Sequence, residues 1–147
     1  MALPDMRSIL IAEDSAAIRS ILSFLLRGRG FEVLECGDGN EALERIRLFH
    51  PDLAILDVMM PGRLGFDVCR AVKADPDTRD IPVIILTSVT NGAGKSDAHW
   101  KDLCGADAFL SKPFKSVELL DHIERLLDPQ PEPTREINKT TDRGSTR

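Results

Sequence analysis

Leu53-Ala54-Ile55-Leu56-Asp57, continuing as Val58-Met59-Met60-Pro61-Gly62, is an apolar run that stops on a carboxylate and then turns. Four consecutive apolar residues without polar alternation predict a strand covered on both faces, as in a parallel sheet packed between helices. Such a strand does not tolerate Asp57 within the run, so the carboxylate marks its end. The pattern recurs. Ser8-Ile9-Leu10-Ile11-Ala12 leads into Glu13 and Asp14, Val83-Ile84-Ile85-Leu86 into Thr87, and Ala108-Phe109-Leu110-Ser111 into Lys112. Open α/β sheets place their ligands at the carboxyl ends of their strands. Three carboxylates, a hydroxyl and an amine gathered there make a site for a divalent cation and a phosphoryl group.

Helix signals fill the intervals. Ser15 is placed to cap a helix whose Ile18, Ile21, Leu22, Leu25 and Leu26 recur at helical spacing until Gly28 and Gly30. Phe31 to Cys36 predicts a strand, and Asn40 to Phe49 a helix with Ala42, Leu43, Ile46 and Phe49 inward. A third helix is predicted from Gly65 to Ala74, and a last one from Ser116 to Leu127 with Val117, Leu119, Leu120, Ile123, Leu126 and Leu127. Between Thr87 and Ala108 lie a Gly-rich loop over 89–96 and a short helix near Asp97 to Cys104. Five strands interleaved with helices give an α/β fold, with a parallel sheet covered on both faces. Residues 1–6 read as a short lead, 7–128 as one domain, and 129–147, opening with Pro129, Pro131 and Pro133, as a disordered tail.

Composition narrows the function. At 147 residues the chain is long enough for one buried core. A net charge of -5 argues against a nonspecific nucleic-acid surface, which needs a basic stripe. No apolar run approaches the roughly 20 residues that span a bilayer, and Met1-Ala2-Leu3-Pro4-Asp5 lacks the layout of a secretion signal, so the expected compartment is the cytoplasm. Cys36, Cys69 and Cys104 have neither CxxC spacing nor an even count, and are read as small core side chains.

An acidic pair after the first strand, the single Asp of Leu-Asp-Val-Met-Met-Pro-Gly, Thr87 after an apolar strand, and Lys112-Pro113-Phe114 before the last helix stand in the order of a known family. From Arg7 to about Leu127 the chain resembles the receiver domain of two-component response regulators, stand-alone and similar to chemotaxis regulators. The resemblance implies a flavodoxin-like (βα)5 fold with strand order 2-1-3-4-5, which sets the first and third strands side by side. Asp57 is then the phosphoacceptor, taking a phosphoryl group from a sensor histidine kinase or a histidine phosphotransfer protein. Glu13, Asp14, Asp57 and the backbone carbonyl of Met59 are the implied holders of Mg²⁺, an all-oxygen set that suits that ion. Lys112 and Thr87 are the implied partners of the phosphoryl oxygens, with a cis bond at Lys112-Pro113. Thr87 and Phe109 form the implied switch. The implied output surface is the fourth helix, the fifth strand and the fifth helix, Ser116 to Leu127, and it binds an unknown protein rather than nucleic acid or membrane. On this reading the chain is a signalling phosphoacceptor and not an enzyme acting on a separate substrate. In one departure, Leu64 stands where the family usually has an Asp before Gly65.

Two other classes stay open on sequence. A receiver that signals by binding alone needs no phosphorylation chemistry, whereas this chain fills every chemical position. A P-loop nucleotide enzyme is suggested by Gly94-Lys95-Ser96, yet Val89 occupies the place of the first loop glycine and the Asp strand comes first.

Overall fold

Residues 7–87 and 104–128 are described by a computed structural model of the chain, and within them all five expected strands are present. In chain order the elements are β1 (Ser8–Ala12), α1 (Ala16–Gly28), β2 (Glu32–Cys36), α2 (Gly39–Phe49), β3 (Leu53–Asp57), α3 (Gly65–Ala74), β4 (Val83–Thr87), β5 (Ala108–Ser111) and α4 (Ser116–Leu127). The strands are all parallel and lie in the order β2-β1-β3-β4-β5. The lead, the loop over 89–96, the short helix expected near Asp97 and the tail lie outside the described residues.

Strand period decides what each residue touches. Leu10, Ala12, Ala54, Leu56, Val83 and Ile85 pack with Ala42, Leu43 and Ile46 of α2 and Val68, Cys69 and Val72 of α3. Their neighbours Ile9, Ile11, Leu53, Ile55, Ile84 and Leu86 point to the opposite face, against Leu22 and Leu26 of α1 and Leu119, Leu120 and Ile123 of α4. Full burial of one such Ile or Leu stabilises the fold by about 1.5–3 kcal/mol, and both cores draw on every inner strand. All three cysteines are free and buried.

Caps and turns set the helix ends. Ser15 Oγ accepts from the Ile18 N–H at 3.3 Å, as its placement predicts. Asp38 caps α2 by accepting from the Asn40 and Glu41 N–H groups at 2.7 and 3.0 Å. Leu64 precedes α3 and gives it no side-chain cap, so the missing Asp forgoes about 1 kcal/mol of helix stabilisation.

Three apolar positions depart from the expected pattern. Phe49, Val117 and Ile21 are 55%, 75% and 64% exposed. Phe49 is the last residue of α2, followed by His50 in the left-handed region, and it stands in the helix's terminal turn. Val117 stands in the first turn of α4, about 200° round the helix from Leu119 and about 120° from Ile123, with Leu120 alone of the three packed residues on its side. Ile21 flanks the buried side of α1, beside a groove of about 420 Å³ shared with Ile18, Leu25, Pro113 and Phe114. Periodicity finds the helical stripe, but the stripe is wider than the surface the sheet covers.

Candidate functional site

Register brings the strand ends together. Ala12 pairs with Leu56, Asp57 with Leu86 and Thr87 with Ser111, so Glu13, Asp57, Thr87 and Lys112 follow one another along the same sheet edge. Three backbone bonds prolong the sheet past the carboxyl ends of its strands, Glu13 N–H to Cys36 O at 3.0 Å, Val58 N–H to Leu86 O at 3.0 Å and Lys112 N–H to Thr87 O at 2.8 Å. Strand parity also sorts the side chains. Glu13, Asp57 and Lys112 continue the face occupied by α1 and α4, whereas Thr87 and Phe109 continue the face of α2 and α3.

Lys112 is the hub of the first group. Its Nζ lies 2.9 Å from Glu13 Oε1 and 3.1 Å from Asp57 Oδ1. Glu13 and Asp57 are 1% and 5% exposed, so this is a half-buried amine shared by two buried carboxylates. The second Glu13 oxygen accepts from the Ser15 N–H at 3.1 Å, which turns the carboxylate inward at the start of α1. Asp14, one residue on, is exposed. The Lys112-Pro113 peptide is cis, as the resemblance implies.

Charge in this corner is unbalanced. Burial raises the Asp57 carboxyl above its ordinary value, and the nearby Glu13 adds to the rise while the Lys112 hydrogen bond opposes it. For Lys112, burial works against the charged amine, but its bonds to Glu13 and Asp57 outweigh that and raise it overall. The amine therefore stays charged at neutral pH. One cation against two buried carboxylates, with Asp14 beside them, leaves an excess of negative charge at an edge whose donors are all oxygen. That donor set fits a hard divalent cation such as Mg²⁺. Among the described residues no three His, Cys, Asp or Glu side chains are already drawn together as a metal centre, and Lys112 bonds both Glu13 and Asp57. Met59, whose carbonyl completes the expected set, sits two residues past Asp57 with its side chain 64% exposed.

The loop after β3 is fixed by glycines that sequence reading passes over. A Cβ on Gly65 would collide with the Asp57 carbonyl oxygen, so α3 begins in backbone contact with Asp57. The Gly65 N–H donates to Val58 O at 2.9 Å. Gly39 makes a similar close approach, where a Cβ would meet the Arg63 carbonyl, and its N–H donates to Pro61 O at 2.9 Å. Arg63 Nε in turn donates to Asn40 Oδ1 at 2.9 Å. The loop after Asp57 is thus tied at both ends, to α3 and to the start of α2. Gly65→Ala is expected to cost about 3 kcal/mol or more, since backbone must move rather than a side chain. Denaturant unfolding of the two proteins measures it, and a loss under 1 kcal/mol would show that the contact is relaxed in solution.

Thr87 is buried and Phe109 half-buried. The Phe109 ring packs on Phe66 of α3, centroids 6.3 Å apart and planes inclined by 45°. Of the residues singled out from sequence, the structure brings Glu13, Lys112 and Asp57 into contact, leaves Asp14 exposed and sets Thr87 and Phe109 on the other face, while the glycine contacts, the Ser15 amide and Arg19, whose NH1 donates to Glu13 O at 2.6 Å, have no signal in the sequence.

Comparison with known proteins agrees with this architecture. The family model of the response regulator receiver domain matches residues 9–124. The DNA-binding response regulator MtrA of Mycobacterium tuberculosis H37Rv is 39% identical over 119 residues, which are 81% of this chain and 50% of that protein. The chain spans about half the length of the curated relatives it matches. A crystal structure of a response regulator from Chloroflexus aurantiacus superposes with a TM-score of 0.75 at 33% identity, over 84% of this chain and 98% of that one. The receiver domain of the Pseudomonas aeruginosa sensor histidine kinase PA1611, crystallised with a magnesium ion coordinated in its active site cleft, gives 0.74 at 27% identity, over 83% and 98% of the two chains.

Proposed function

This chain belongs to the response regulator receiver domain family, and we propose that it takes a phosphoryl group on Asp57 from a phosphohistidine of a sensor kinase or phosphotransfer protein. The observation that carries the proposal is the buried Glu13–Lys112–Asp57 arrangement at the sheet edge. An Asp57 oxygen attacks phosphorus, the new P–O bond replaces the P–N bond to the donor imidazole, and the imidazole leaves. A carboxylate already ionised needs no general base, so the chemistry reduces to alignment and neutralisation of charge. Lys112 supplies a fixed cation beside Asp57 Oδ1, and the Thr87 hydroxyl is a donor for a phosphoryl oxygen. Glu13, Asp14, Asp57 and the Met59 carbonyl are the residues that would hold Mg²⁺, which when bound offsets the charge of the acceptor and the phosphoryl oxygens.

The same geometry supports a switch. Thr87 and Phe109 share the α2 and α3 face, so a Thr87 drawn to a phosphoryl group relieves space on the side where Phe109 packs against Phe66. The readout surface is then β5 with α4, together with the short helix expected near Asp97, and its partner is a protein. MtrA is a DNA-binding regulator over a chain twice as long; the reading of protein output without nucleic-acid contact is proposed for residues 7–128 alone. Among the described residues no helix is long and apolar enough to cross a membrane.

Intact mass after incubation with acetyl phosphate tests the proposal. Wild type with Mg²⁺ gains one adduct of about 80 Da, and Asp57→Ala or chelated wild type gains none. A wild type that stays unmodified while its partner binding is indifferent to Mg²⁺ and phosphodonor contradicts the proposal and favours the binding-only reading.

A further inference from the structure

Arg19 brings a guanidinium to the acidic loop, where it meets both backbone and a carboxylate. Its NH1 donates to the Glu13 carbonyl at 2.6 Å, and its Nε lies 3.6 Å from Glu35 Oε1. Glu35 is held from its other side by Arg27, at 3.4 Å. The Glu13 N–H donates to Cys36 O at 3.0 Å, so the peptide groups on both sides of Glu13 are tied to β2 or to a side chain lying against it. A second observation concerns Gly37, directly after β2. A Cβ there would stand 2.9 Å from Arg19 NH1, yet Gly37 is not among the positive-φ glycines. Its backbone does not require glycine. What the missing side chain provides is room for the guanidinium.

We propose that Arg19, seated over Gly37, is a positioning residue for cation binding, fixing the Glu13–Asp14 peptide so that both acidic side chains, Glu13 buried beside Lys112 and Asp14 exposed next to it, are held in place for the cation. The proposal rests on the magnesium reading above. The C=O of Glu13 and the N–H of Asp14 belong to one planar unit, so pinning the carbonyl sets the point from which Asp14 projects. Arginine suits the task because its planar fork addresses the Glu13 carbonyl and Glu35 together, which the single ammonium of lysine does not do in the same geometry. Loss of such an outer contact typically weakens metal binding while leaving the ligands in place.

The test is Mg²⁺ titration of the unphosphorylated full chain, followed by backbone amide NMR shifts, with thermal unfolding measured alongside. Arg19→Ala and Arg19→Lys are expected to weaken Mg²⁺ binding by about 10-fold. Gly37→Ala is expected to weaken it by a smaller factor, because its Cβ displaces NH1, and to add nothing in the Arg19→Ala background. Wild-type affinity in Arg19→Lys would show that charge alone suffices and overturn the proposal. So would unchanged affinity in Arg19→Ala with a lowered Tm, the signature of a merely structural arginine, or additive effects of the two substitutions. A wild type that shows no Mg²⁺ response overturns the magnesium reading itself, a result distinct from any of these.

Discussion

Lys112→Met is expected to slow phosphorylation of Asp57 by about 100-fold or more, the scale seen when a fixed electrostatic donor is removed from a site of charge development. The same substitution is expected to destabilise the metal-free protein by about 3 kcal/mol, since it strands the buried carboxylates of Glu13 and Asp57 without their shared cation. Mg²⁺ affinity should move the opposite way and tighten, because a positive charge that bonds two of the proposed ligands, Glu13 and Asp57, has been removed. Time courses with acetyl phosphate, urea unfolding and Mg²⁺ titration give the three quantities. Slower phosphorylation accompanied by weaker Mg²⁺ binding would mean that Lys112 holds the loop in shape and has no separate role at the phosphoryl oxygens.

Asp57→Asn is expected to abolish the adduct and stabilise the fold. Burial raises the Asp57 carboxyl above its ordinary 3.8, so between that value and the raised one the folded state binds more protons than the unfolded. Stability then falls as pH rises through that window and stays at the lower level at neutral pH. Asparagine does not ionise and escapes this loss, while Lys112 keeps Glu13 as its partner. The metal-free variant should melt higher than wild type at pH 7, by about 4 °C for each kcal/mol regained. The gap should narrow as pH falls toward 4. A variant that melts lower than wild type at pH 7 would show that the Asp57–Lys112 attraction outweighs the burial of the charge.

These two experiments concern residues that the sequence marks clearly, and the reason is physical. A polar group at the end of a buried apolar run has few places to go, so Asp57, Glu13, Thr87 and Lys112 are legible from pattern alone, and parallel pairing in register puts them on one edge. Elements of strong periodicity are equally legible: α3 and α4 begin and end where their apolar spacing predicts. Packing at a distance is not. The clash that forbids a side chain at Gly65 arises from Asp57, across a turn, and that at Gly39 from Arg63, which no local pattern reports. Arg19 reads as one more polar residue on an amphipathic helix, and only the fold shows that its guanidinium lies against Glu13 and Gly37. Phe49, Val117 and Ile21 fail for the complementary reason, since periodicity records which way a residue faces along the helix but not whether anything stands opposite.

That Asp57 carries the phosphoryl group is the central claim, and its most direct test traps the acyl phosphate chemically. Borohydride reduces an aspartyl phosphate to homoserine, so protein treated with acetyl phosphate and Mg²⁺, reduced and digested, should carry homoserine at position 57 and nowhere else. Homoserine at another carboxylate, Asp14 or Glu13 included, or its complete absence from protein that had gained the adduct, would contradict the assignment.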